Sequence, residues 1–266
     1  MAGVRLVATW VTVLVATILS PAFAAAQSPF DGTWRILIEQ SRFSPKPMIT
    51  FLSEGWFHCQ SCNPKLDIRA DGNDQPVLGQ AYDTISVREV DSKTIQILIK
   101  KAGKVLIEET QYTSSDYQTL TVRTTQHPSN GGPPVTVETT AKRIGITPAA
   151  INRISGTWRL TRMNQSDNGL LTTYKTNGDE FTMTAPTGES YTAKFDGMDY
   201  PANGAPGYNI VVLKRIDKNT IEERDKRDGT IVSVSRMTVS ADGKKMTIVA
   251  TNAMTDRTTT YVAVKQ

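Results

Sequence analysis

Asp31-Gly32-Thr33-Trp34-Arg35-Ile36 returns as Ser155-Gly156-Thr157-Trp158-Arg159-Leu160, and this repeat decides the reading of the chain. Three further blocks keep step with it. DGNDQPVLG (71–79) matches DGMDYPANG (196–204), DTISVREVDSKTI (83–95) matches NIVVLKRIDKNTI (209–221), and TSSDYQTLTV (113–122) matches VSADGKKMTI (239–248). The offset stays between 124 and 126 residues across all four. Collinear blocks at a near-constant offset mark a tandem duplication. Copy one runs from 29 to 144, residues 145–150 form a linker, and copy two runs from 151 to 266. Two copies are too few to stack as a solenoid. Each is therefore expected to close its own core, and copy two to fold alone from about Ala150.

Within each copy the pattern is strand and turn. In copy two, runs rich in Thr, Val, Ile and Tyr alternate with Asn177-Gly178, Pro186-Thr187-Gly188, Asp196-Gly197, Asp228-Gly229 and Asp242-Gly243. Asn-Gly and Asp-Gly accept the positive φ of tight hairpins. Strands are expected at 157–163, 170–176, 180–185, 191–195, 209–216, 220–226, 231–239, 245–251 and 258–264. Alternation supports strands: Met246, Ile248 and Ala250 share one face, with Thr247, Val249 and Thr251 opposite. No segment of ten or more residues keeps a helical period. The expected fold is all-β: two tandem antiparallel up-and-down barrels, since closure removes exposed sheet edges.

Gly-Thr-Trp at the start of the first strand in both copies resembles the hallmark of lipocalins and their relatives, the fatty-acid-binding proteins and avidins. That resemblance implies a Trp (Trp34, Trp158) following Gly32 or Gly156 and closing one barrel end, with a basic residue of the last strand packed over its ring. Lys142, Arg143 and Lys265 suit that role, Lys being the weaker stacker. GTWRILIEQSRFSPKP (32–47) is similar to the opening of a group of uncharacterised exported bacterial proteins, GTWxLNxxKSKFSPGP. YTAKFDGMDYPANG (191–204) and VVLKRIDKNTIE (211–222) look like later motifs of the same group. This likeness implies a periplasmic or secreted location and carries no catalytic residues.

His58-Cys59-Gln60-Ser61-Cys62 occurs only in copy one. A disulfide between Cys59 and Cys62 is the favoured reading. Zinc needs about four ligands, and His58 with two cysteines gives three. Covalent haem needs a His after the second Cys, where Asn63 stands. A redox pair wants its first Cys at a helix N-terminus, which a β fold does not supply. No metal or other cofactor is expected. Two histidines, His58 and His127, argue against a base-assisted nucleophile. Asp71, Asp74, Asp196 and Asp199 sit in Asp-Gly-x-Asp turns, where they cap backbone N–H groups. Tyr191 and Phe195 share a strand face and Tyr208 follows nearby. They are the candidate ligand-lining residues, with a filled core as the plainer alternative.

The 30 Lys and Arg against 26 Asp and Glu leave +4, spread in short pairs interleaved with acids, unlike the basic stripe of a nucleic-acid binder. Residues 1–26 read as a secretory signal peptide: Arg5, an uncharged run from Leu6 to Leu19, a break at Ser20-Pro21, and Ala-x-Ala cleavage options. The run is shorter than the roughly 20 apolar residues of a membrane span. The expectation is an exported binding protein, without catalysis, for a small apolar or amphipathic molecule. Two alternatives stand beside it: a filled-barrel interaction module with an envelope protein as partner, and an enzyme or metal/redox protein using the His58 segment.

Overall fold

The structure, a computed structural model, describes residues 28–128, 130–145, 152–205 and 207–266. The expected signal peptide lies outside them. The chain is all-β, in two ten-stranded antiparallel sheets. Copy one supplies β1 (Gly32–Ile36), β2 (Met48–Ser53), β3 (Trp56–Cys59), β4 (Leu66–Arg69), β5 (Gln75–Pro76), β6 (Thr84–Asp91), β7 (Thr94–Lys101), β8 (Lys104–Thr113), β9 (Thr119–Gln126) and β10 (Val135–Arg143). Copy two supplies β11 (Gly156–Gln165), β12 (Leu171–Asn177), β13 (Glu180–Thr184), β14 (Ser190–Lys194), β15 (Tyr200–Asn203), β16 (Ile210–Arg215), β17 (Thr220–Arg227), β18 (Thr230–Val239), β19 (Lys245–Asn252) and β20 (Arg257–Lys265).

The copies do not close on themselves. Each gives its first strand to the other. β1 pairs with β12 and β20, closing the barrel of copy two. β11 pairs with β10 and β2, inside the sheet of copy one. Burial follows the exchange. Phe30 and Trp34, 0% and 1% exposed, belong to the core built by β12–β20, while Ile154 and Trp158, 1% and 0%, belong to that of copy one. The expectation that each copy closes its own core is corrected accordingly: the repeated strand fills the equivalent slot next door. Both slots accept the same Gly-Thr-Trp strand, so one set of contacts is satisfied either way. Arg35 pairs with Asp167 at 2.6 Å, and Ile36 N–H donates to Leu170 O, where the two crossing segments meet.

Both sheets curl by the same device. Gly72 N–H donates to Val87 O and Gly197 N–H to Leu213 O, drawing β4 toward β6 and β14 toward β16. The short strand β15 escapes sequence reading because Pro201 sits inside it. It lies beside this contact, pairing with β16 through only Tyr200 and Pro201, a site where a missing N–H is tolerated.

Candidate functional site at the junction of the barrels

One end of each barrel is plugged. Trp34 Nε1–H donates to Phe30 O at 2.7 Å, and Trp158 Nε1–H to Ile154 O at 2.9 Å. Lys265 Nζ stands 5.0 Å from the Trp34 ring centre, and the Arg143 guanidinium 4.0 Å from that of Trp158. Each basic residue thus stacks on the Trp of the other copy, as strand exchange requires. Lys142 points outward to Thr119 Oγ1 and takes no part. Gly32 opens β1 at φ +120°, a conformation that disfavours a side chain, while Gly156 opens β11.

The opposite ends face each other. Residues 130–134 of copy one meet the β13–β14 turn of copy two, where Asn130 Nδ2 donates to Pro186 O at 3.2 Å. Gly188, at φ +88°, lies so close to Asn130 that a Cβ would come within 2.9 Å of it. On the other side the β3–β4 turn meets the β19–β20 turn, with Asn63 donating to Met254 O. Arg227 donates to Gly79 O at 2.9 Å.

Two neighbouring cavities lie at this junction. One, of about 260 Å³, has an apolar wall of Leu106, Ile107, Pro128 and Val135, and polar Lys101, Gln126, His127, Thr187 and Glu189. The other, of about 280 Å³, is lined by Tyr82, Asp83 and Lys101 of copy one and by Tyr208, Asn209 and Arg227 of copy two. These are equivalent positions of the repeat, so this cavity straddles the approximate two-fold relation of the copies. Lys101 and Ala205 line both spaces. No protein family, curated protein or solved structure matches the chain. The reading of the site therefore rests on its own geometry.

Behind each mouth tyrosine lies a half-buried carboxyl. In copy one it is Glu109, which accepts from Gln111 at 2.6 Å and Thr124 at 3.3 Å and is pushed upward by burial. In copy two Ile221, Glu223 and Asp225 share the inward face of β17. Tyr191 Oη–H donates to Glu223, which is in hydrogen-bonding contact with Asp225. Glu109 faces Ile97 across the ladder, while Glu223 faces Ser235, the repeat equivalent of Glu109. Both barrels therefore place an acid at one cross-strand pair, from opposite members of it. Burial, then mutual repulsion, raises Glu223 to about 8, and burial raises Asp225 to about 6. The folded state thus holds more protons than the unfolded one from about pH 4 to pH 8, and stability falls as pH rises across that window. Urea midpoints should be higher at pH 5 than at pH 8.5, and Glu223→Gln should flatten the difference.

The sequence-proposed ligand residues separate. Tyr191, 2% exposed, is core, and Tyr208 lines the junction. Phe195 lies near the plugged end, tilted against Phe181 at 5.3 Å beneath Arg215. The acids escaped notice because TIEERDKR (220–227) reads as a solvated charged strand. The missed signal was the two-residue period carrying Ile221 through Glu223 to Asp225.

Cys59 and Cys62 form a disulfide, and alternation along β3 sends His58 to the other face, where its Nδ1 meets Asp67 at 2.5 Å. The three side chains do not converge on a common point. Closing so short a loop is worth roughly 2 kcal/mol in the chain-entropy account. Reduction, or Cys59→Ser with Cys62→Ser, should lower stability by about that much in urea titrations, without unfolding the protein.

Proposed function

We propose that this chain is an exported, non-catalytic binding protein that holds a small amphipathic molecule between its two barrels. The carrying observation is the junction cavity, where an apolar wall from β8 and β10 faces polar groups from both copies. Pockets of this make-up orient a ligand with few polar groups while burying its apolar part. The interior of the second barrel argues against a lumenal ligand there, because Phe30, Trp34, Tyr174, Phe181, Met183 and Tyr191 pack against one another in it. The disulfide suits an oxidising compartment, and the likeness to exported lipocalin-type proteins points the same way.

Native mass spectrometry of the protein, purified from its own host without reductant, tests this reading. The expected result is an adduct lost on denaturation and diminished by Leu106→Trp, which fills the cavity. A bare chain, lighter than the reduced form by only about 2 Da for the disulfide, would contradict it. That outcome would favour the filled-barrel interaction module.

A further inference from the structure

The two junction cavities share Lys101 and Ala205 but differ in chemistry. Among the described residues, the one that straddles the copies is lined by no Leu, Ile, Val, Met or Phe. Its shape comes from the repeat. Tyr82 and Tyr208 each stand two residues before a strand, β6 and β16. Lys101 and Arg227 end β7 and β17, where Ala102-Gly103 and Asp228-Gly229 turn the chain at positive φ. The charges around this space cancel, with Lys101 and Arg227 against Asp83 and Asp228. The Lys101 ammonium, the Asp228 carboxylate and both tyrosine hydroxyls have no hydrogen-bond or ion-pair partner among the described residues. Burial pushes both phenols up, so each keeps a proton to donate. Donors and acceptors of both copies thus line one polar compartment, next to an apolar one.

We propose that the polar compartment seats an uncharged, hydroxyl-rich head group, a glycosyl unit, and that the ligand is a glycolipid-like amphiphile whose alkyl part lies along Leu106, Ile107 and Val135. The inference rests on the junction-cavity reading and adds the head group and its place. A hydroxyl both donates and accepts, so one sugar ring serves Asp228, Lys101 and the two phenols together. An ammonium head would meet Lys101 and Arg227, and a carboxylate or phosphate head would meet Asp83 and Asp228. Either sign therefore carries a repulsion that a neutral head escapes. The orientation follows from the walls. Sugar hydroxyls against Leu106 and Ile107 would lose water without replacement, whereas an alkyl chain there leaves water favourably.

Four probes of equal chain length separate the possibilities: n-octyl β-D-glucoside, n-octanol, n-octylamine and octanoate. Each is titrated at pH 7 into the full chain, below its micelle-forming concentration, and followed by amide chemical shifts in NMR. The expected result is that octyl glucoside binds about tenfold more tightly than the other three, the yield of a few neutral hydrogen bonds net of lost water. It should shift the amides of Tyr208, Asn209 and Ile107, whereas methyl β-D-glucoside, the head without the chain, should shift the first two alone. Tyr82→Phe combined with Tyr208→Phe should bring octyl glucoside down to the affinity of octanol. Asp228→Asn, which suits the same positive-φ turn, leaves Lys101 and Arg227 unbalanced and should make octanoate bind roughly threefold more tightly. Equal binding of the four probes, a preference for either charged one, or a glucoside preference that survives the double tyrosine variant would overturn the glycosyl subsite and leave the junction cavity standing. An octanoate affinity unmoved by Asp228→Asn would also overturn it. No binding of any probe would overturn both readings.

Discussion

A chain begun at Pro45, lacking β1 but keeping every residue of copy two, should lose its second barrel and keep its first. β1 closes that barrel between β12 and β20, so its removal exposes two sheet edges at once. It also removes Phe30 and Trp34 from the core, including the edge-to-face contact of Phe30 with Phe181 at 6.1 Å. Each buried aromatic side chain is worth several kcal/mol, against a total stability of roughly 5–15 kcal/mol for a domain. Hydrogen exchange should show the amides of β12–β20 unprotected and those of β6–β10 protected. A peptide of residues 28–44 added in trans should restore protection. Were each copy to close on itself, the same truncation would instead strip the first barrel. The same logic bears on copy two expressed from about Ala150. Its Gly156–Gln165 segment can fill the vacant slot, within one molecule or between two, so it should fold and show some exchanged dimer.

The second large effect is expected from the plug residues. Trp34→Ala and Trp158→Ala should each cost about 3–5 kcal/mol, the range for deleting a buried aromatic. Each leaves a cavity, orphans a backbone carbonyl (Phe30 O or Ile154 O) and strips the stacked cation above the ring. The diagnostic part is where the damage falls. Trp34 belongs to copy one, yet its loss should lower protection in β13, β14 and β16. Trp158 belongs to copy two, yet its loss should lower protection in β6 and β7. Lys265→Ala should cost less than Arg143→Ala. Arg143 lies closer to its ring and also donates to Ser155 O at 2.7 Å and Arg153 O at 2.6 Å, whereas Lys265 donates to Pro29 O at 3.1 Å.

Much of the architecture was legible in the chain because the turns are chemically explicit. Asn177-Gly178, Asp228-Gly229 and their neighbours mark hairpins, and nine strands of copy two stand within about two residues of their expected bounds. The exchange was not legible. Gly32-Thr33-Trp34 and Gly156-Thr157-Trp158 are identical in residue type, so strand period and turn chemistry cannot say which barrel each strand completes. The junction was hidden for a related reason: Tyr82 with Tyr208, and Lys101 with Arg227, are brought together only by that pairing. Trp34 and Trp158 were legible as plugs only through the resemblance of Gly-Thr-Trp to the lipocalin motif, which implies a Trp closing one barrel end. Glu223 and Asp225 were hidden because a charged residue in a strand is ordinarily solvated.

Crossed first strands hold the two barrels mouth to mouth over the junction cavity, and one cross-linking measurement tests this most directly. Thr33 Oγ1 lies 2.8 Å from Thr173 Oγ1, on adjacent strands from different copies. In a self-closing chain Thr33 would face Ile49, as its counterpart Thr157 does here. Two double variants, Thr33→Cys with Thr173→Cys and Thr33→Cys with Ile49→Cys, are oxidised in the folded state and mapped by peptide mass. Strand exchange predicts a new disulfide in the first and none in the second. A bond formed only between positions 33 and 49 would contradict it.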